Sequence, residues 1–197
     1  MIKTLTLTGK LAERVSFGKV KERTFTFQPG VNVLVGSNGS GKSTILEVLK
    51  SHAMERGSND YVKSSELTFV TGKEQSNLRL FDFERQNPRT QDSIGDCGGF
   101  QVASFFQSHG ETNRQLTKGL LETKDIDDAI VVLDEPDQAL DFDGVFALFR
   151  QLEHCKARQV LVSVHHPLLV LSNFTAIELV AGYRSKMRED LGQFLEV

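Results

Sequence analysis

An α/β fold is predicted, with a mostly parallel core sheet, helices on both faces and an antiparallel β lobe near the N-terminus. Three observations predict it. In the second half of the chain, short apolar runs alternate with helix-period segments, the pattern of a parallel sheet crossed by helices. Near the N-terminus, Leu5 and Leu7, then Phe25 and Phe27, show the period of two of half-exposed antiparallel strands. Between these regions, the apolar run Val31-Asn32-Val33-Leu34-Val35 passes straight into a glycine-rich turn and an apolar helix. A chain of 197 residues, 39% hydrophobic and 25% charged, suffices for one well-buried domain, so 1–197 reads as a single unit.

Taken in order, Met1-Ile2-Lys3-Thr4-Leu5-Thr6-Leu7 alternates like a strand and lacks a signal-peptide core. The Gln28-Pro29-Gly30 turn leads into the buried strand 31–35. Ile45, Leu46, Val48, Leu49 and Ala53 mark the helix that follows, and the polar stretch 51–65 reads as a loop with a frayed helix end. Strand-like runs at Leu67–Thr71 and Leu78–Phe83 follow, so the antiparallel lobe is expected over 1–30 and 66–83. Residues 84–98 are polar and glycine-containing, as expected of a mobile loop. The apolar residues of Val102–Phe106 leave strand and helix both open. A helix over 111–123, with Leu116, Leu120 and Leu121 on one side, completes a small region at 99–123. After it come strand Ile130–Leu133, helix 142–153, strand Val160–Val164, short helix 167–173 and strand Ile177–Val180.

Charge and cysteine usage narrow the class. A formal charge of −3 argues against a broad cationic surface and strong non-specific nucleic-acid binding. Lys19, Lys21 and Arg23, and Arg184, Lys186 and Arg188, read as solvated edges. Cys97 and Cys155 have no metal-type spacing and imply no disulfide framework, so a cytoplasmic location is expected. No apolar run reaches the ~18 residues of a membrane span.

Chemistry enters at residues 36–44, which read Gly36-Ser37-Asn38-Gly39-Ser40-Gly41-Lys42-Ser43-Thr44. This is a G-x-x-x-x-G-K-[ST] phosphate loop, placed between a strand and a helix as the motif requires. Its glycines let successive backbone N–H groups point at phosphate oxygens, beside the positive end of the helix dipole. Lys42 is expected to reach the β- and γ-phosphates of a nucleoside triphosphate, and Ser43 to bind Mg²⁺.

A second constellation is Ala129-Ile130-Val131-Val132-Leu133-Asp134-Glu135. Four apolar residues deliver a carboxylate to the C-terminal edge of a parallel sheet, where ligands bind in open α/β folds. Asp134 there suits Mg²⁺ opposite Ser43, and Glu135 suits activation of a water for attack on the γ-phosphate. The next apolar strand ends in Ser163-Val164-His165-His166-Pro167, which places His165 to hydrogen-bond the γ-phosphate. His52, His109 and His154 carry no such companions and read as structural or surface residues.

With these motifs in order, the chain resembles the ABC-type ATPases, closer to the SMC and RecF-like branch than to transporter subunits. Residues 36–44 resemble Walker A, Ile130–Asp134 Walker B, and Glu135 the catalytic glutamate. Gln138-Ala139-Leu140-Asp141 resembles the D-loop, and His165 the switch histidine. Gln107-Ser108-His109-Gly110-Glu111 is similar to the family's Ser-x-Gly-Glu signature ahead of a helix, though His109 stands where a small residue is usual. Ser108 and Gly110 would then meet the γ-phosphate of a partner subunit. Gln86, or else Gln91, fits the Q-loop. Only residues 45–106 separate Walker A from the signature, so the helical insertion is reduced and the coiled-coil arm is missing.

The resemblance implies an ATPase that uses ATP and Mg²⁺ and dimerises head to head on ATP. It would act as a switch or motor with DNA or an effector such as a nuclease. The alternative is the ATPase subunit of a membrane transporter. A small-molecule kinase or GTPase is the remaining reading, against which stands the absence of a guanine-specifying Asn/Thr-Lys-x-Asp motif.

Overall fold

The computed structural model describes residues 1–16, 20–53, 60–70, 78–83 and 109–195. The chain opens with β1 (Ile2–Thr8), α1 (Gly9–Val15), β2 (Glu22–Thr26) and β3 (Gly30–Val35). Next come α2 (Lys42–Ala53), α3 (Asp60–Lys63), β4 (Ser65–Phe69) and β5 (Leu78–Asp82). The second half holds α4 (His109–Leu121), β6 (Ile130–Asp134), α5 (Phe142–Glu153) and β7 (Gln159–Ser163). It closes with α6 (Pro167–Val170), β8 (Thr175–Glu178) and α7 (Tyr183–Leu195).

Among the described residues there are two sheets. One is antiparallel in the order β2-β1-β4; the other is parallel in the order β5-β6-β7-β3-β8. The strands β6, β7 and β3 are therefore neighbours, and their C-terminal ends lie along one edge. All of β7, and β6 up to Leu133, is buried, as expected of parallel strands covered on both faces.

Side-chain alternation divides the core in two. Val33 and Val35, with Val131, Leu133, Val160 and Val162, face one cluster with Leu121 of α4, Val145, Leu148 and Leu152 of α5, and Leu169 of α6. Leu34, Val132 and Leu161 face the other, with Ile45, Leu46, Val48 and Leu49 of α2 and Ile2, Leu5, Leu7 and Phe25 of the antiparallel lobe. The α5 helix shows why such segments form. Asp141 caps it by accepting from the Gly144 N–H at 2.8 Å, and Val145, Leu148 and Leu152 make one apolar stripe. Each of those three side chains contributes about 1.5–3 kcal/mol by burial.

Among the described residues, polar side chains also join the lobe to the parallel sheet. Gln159, fully buried, accepts from the Ile2 N–H at 2.9 Å and donates to the carbonyls of Ile2 at 2.9 Å and Gln28 at 3.0 Å. Arg23 donates to the carbonyls of Val15, Leu179 and Glu178 at 2.9, 2.8 and 3.2 Å. The expectation of a solvated edge therefore fails at Arg23, which lies over the Phe25 ring and clamps three segments together.

Other differences have equally local causes. The second run assigned to the lobe, 78–83, leaves it: β5 pairs in parallel with β6, Leu78 opposite Ile130 and Asp82 opposite Asp134. Short apolar strands look alike in either sheet, and pairing is decided by distant partners. Helix α1 was not expected, because it is short and buries only Ala12 and Val15. Helix α7 was not expected either; it buries no residue fully, although Tyr183 and Met187 pack against the core, and it holds the basic residues Arg184, Lys186 and Arg188. The expected helix at 111–123 forms two residues earlier, at His109–Leu121, and the short one at 167–173 ends at Val170. The readings of 84–98 and Val102–Phe106 fall outside the described residues.

Candidate functional site

The phosphate loop leaves the end of β3 and enters α2 at Lys42, and it forms one wall of a cavity of about 700 Å³. At Gly41 the backbone has φ +99°, and an added Cβ would lie 2.9 Å from the Val15 Cγ2 atom. Only glycine takes that turn without strain, and the C-terminal end of α1 packs directly on it. Lys42 is nearly buried, and its Nζ donates to the carbonyls of Gly36 at 2.9 Å and Ser37 at 3.3 Å. Burial lowers its pKa and outweighs the upward pull of Glu135, Asp134 and Asp137. Asn38, Gly39, Ser43 and Thr44 line the same cavity, and Ser43 is exposed there. Ser40 is buried inside the loop, its N–H donating to the Ser37 carbonyl at 3.1 Å.

On the opposite wall stand Glu135 and His165. Asp134 ends β6, and Glu135 turns away from it with φ +52°, a left-handed conformation that a glutamate seldom adopts. That turn places Glu135 Oε1 2.8 Å from His165 Nε2. Asp137 fastens the other side of the pair: its Oδ2 accepts from the backbone N–H of both His165 and His166 at 2.7 Å. Asp134 Oδ1 accepts from the Ser163 hydroxyl at 2.6 Å. Burial raises the Asp134 pKa, and the like charges of Glu135 and Asp82 add to it, while the Ser163 bond and Lys42 oppose.

The signature and D-loop regions also meet, away from this cavity. Gly110, in the first turn of α4, lies so close to the D-loop that an added Cβ would sit 2.5 Å from the Ala139 carbonyl oxygen. Asn113 Nδ2 donates to the Gln138 carbonyl at 3.0 Å. Gly110, Arg114, Ala139 and Asp141 line a separate cavity of about 270 Å³. Within one chain, then, Gly110 and the phosphate loop line different cavities. Ser108, Gln86 and Gln91 lie outside the described residues.

A family described as an AAA domain matches residues 15–144, more than half of the chain and the acidic residues Asp134, Glu135 and Asp137 of the site. The chain belongs to this AAA domain family. The matched part of the AAA domain runs from the end of α1 to the first turns of α5.

Two curated relatives are similar over most of the AAA-domain chain. The zinc import ATP-binding protein ZnuC of Paracoccus denitrificans is 28% identical over 160 residues, 75% of this chain and 63% of ZnuC. The ribosome protection protein VmlR of Bacillus subtilis is 29% identical over 188 residues, 88% of this chain and 33% of VmlR. The chain thus spans less than two thirds of the length of either. Among solved structures, a putative ABC transporter ATP-binding protein from Pyrococcus furiosus superposes with a TM-score of 0.51 at 17% identity. That match covers 90% of this chain and 98% of the other. The fold of the AAA domain is therefore the ABC-type P-loop fold.

Several residues of this AAA-domain site escaped sequence reasoning. Arg14 lines the 700 Å³ cavity from α1, a helix without a sequence signature. His166 lines it too, while its side chain caps α6 by accepting from the Leu168 N–H at 3.3 Å. Asp137 and Ser163 carried a readable signal. Asp137 is a buried acid directly after Pro136, and Ser163 is the one polar residue in Val160-Leu161-Val162-Ser163-Val164.

Proposed function

We propose that the chain binds ATP with Mg²⁺ in the 700 Å³ cavity and hydrolyses it to ADP and phosphate. The observation that carries this reading is the Glu135–His165 contact of 2.8 Å, on the wall of the cavity that holds Lys42. Glu135 Oε1 is the base that takes a proton from the attacking water, and His165 holds that carboxylate in place and meets the γ-phosphate. Lys42 exchanges two loop carbonyls for phosphate oxygens, so its ammonium stays hydrogen-bonded throughout.

The residues present also fit a magnesium ion. Asp134 is a half-buried carboxylate raised by burial and crowded by Glu135 and Asp82, and a hard divalent cation relieves that repulsion. Asp134 and the Ser43 hydroxyl would hold the ion, which would neutralise charge on the transferring phosphate.

The separation of Gly110 from the phosphate loop supports a two-chain arrangement. A second copy would present Ser108 and Gly110 to the nucleotide, forming two equivalent sites in a two-fold interface. ATP and ADP differ by the γ-phosphate contacts across that interface, so hydrolysis would release the dimer. The decisive experiment is the light-scattering mass of Glu135→Gln with Mg-ATP, with Mg-ADP and without nucleotide. A dimer with ATP alone is expected. A monomer throughout, with ATP binding confirmed, rules out the trans arrangement, and normal turnover of Glu135→Gln rules out the catalytic assignment.

The output is read as a switch that acts on DNA or an effector, in keeping with the resemblance to SMC and RecF-like heads. The similarity to ZnuC, named for zinc import, favours a second reading as a transporter's ATPase subunit. Co-purification with an integral membrane protein would establish the second; retention of the ATP-closed dimer on DNA would establish the first.

A further inference from the structure

The strand β7 holds a residue that its fold does not call for. Its neighbours Val160, Leu161, Val162 and Val164 are buried aliphatic side chains, as a central parallel strand favours. Ser163 is fully buried among them, and hiding a hydroxyl costs stability unless it finds partners. It finds two, and both belong to the site. Its Oγ donates to Asp134 Oδ1 at 2.6 Å and accepts from the Glu135 backbone N–H at 2.8 Å. The register makes this possible, because Ser163 lies directly opposite Asp134 in the β6–β7 pairing.

We propose that Ser163 is a positioning residue for hydrolysis, orienting Asp134 and holding Glu135 in the left-handed turn that brings its carboxylate to His165. This rests on the ATPase reading above. The two bonds act on different groups. The one to Asp134 fixes one carboxylate oxygen and with it the orientation of the other. The one to Glu135 occupies the N–H that a relaxed glutamate would rotate, and a left-handed non-glycine residue persists only when its surroundings fix it. A serine that merely filled space would be replaceable by alanine without loss of chemistry.

The test compares Ser163→Ala, Ser163→Thr and Glu135→Gln by steady-state ATPase kinetics and by Mn²⁺-ATP binding measured with electron paramagnetic resonance. Thermal melts confirm that each variant is folded. Ser163→Ala is expected to lower kcat by about 10–100-fold with the KM for ATP changed by less than about threefold, since orientation rather than nucleotide grip is lost. It is also expected to weaken Mn²⁺ several-fold, as loss of a ligand's supporting bond does. Ser163→Thr, which keeps the hydroxyl, should recover most of both. A folded Ser163→Ala with kcat and Mn²⁺ affinity within about twofold of the parent overturns the proposal, as does a folded Ser163→Thr no better than alanine. Active Glu135→Gln would instead overturn the ATPase reading itself, which keeps the two failures apart.

Discussion

Lys42 shows how the loop holds a single charged side chain. Its ammonium is nearly buried and rests on the carbonyls of Gly36 and Ser37, so the loop already encloses a positive charge. Lys42→Ala removes that charge and leaves two loop carbonyls without a donor. Calorimetric titration with Mg-ATP should show binding weakened by about 100-fold or more, as for loss of a charged hydrogen-bonding group in a desolvated site. Binding unchanged in that variant would place the nucleotide elsewhere. His52 supplies a residue-scale test of pH dependence. Its Nε2 lies 2.9 Å from Ser65 Oγ at the end of α2, and burial lowers its pKa from the ordinary 6.5. Just below that value the unfolded chain binds more protons than the folded one, so stability falls as the pH drops from 6.5 towards the depressed folded value. His52→Gln should flatten this acid-side decline in melts taken between about pH 7.5 and 5.5.

Legibility at the scale of elements followed the strength of the local signal. The α5 helix was read at 142–153 and is found there, because a cap at Asp141 and a stripe of Val145, Leu148 and Leu152 agree. The strand bearing Asp134 and the one leading to His165 were read for the same reason, as short apolar runs ending in polar residues. The reading failed where an element owes its form to distant contacts. Nothing in Leu78–Asp82 says that it joins β6, and α7 offers only the partly buried Tyr183 and Met187 as an apolar signal. The motif residues were legible as chemistry, while the bonds that hold them, from Ser163 and Asp137, depend on which strands lie side by side. The packing of α4 on the D-loop is of this second kind, and it is testable. Gly110→Ala would force the helix off the Ala139 carbonyl, a displacement costing about 1–3 kcal/mol. We expect a lower Tm and, in a Glu135→Gln background with Mg-ATP, no ATP-dependent dimer by light scattering while nucleotide binding persists.

On the scale of the whole molecule, the two sheets share one apolar cluster and, among the described residues, are also tied by polar side chains that each make several bonds. Gln159 satisfies both backbone groups of Ile2 and the carbonyl of Gln28 from a fully buried position. Gln159→Leu leaves those groups unpaired, which should cost about 2–4 kcal/mol and be visible in urea unfolding as a lower midpoint. An unchanged midpoint would mean that the lobe is held by apolar packing alone. The tie matters beyond stability. Val15 closes the lobe's helix, its carbonyl accepts from Arg23, and its Cγ2 fills the space beside Gly41 where a side chain would be. The antiparallel lobe thus serves as a lever whose short arm rests on the phosphate loop. A load applied to that lobe would strain the loop at Gly41, and, on the proposed ATPase reading, a bound nucleotide would stiffen the lobe against the load.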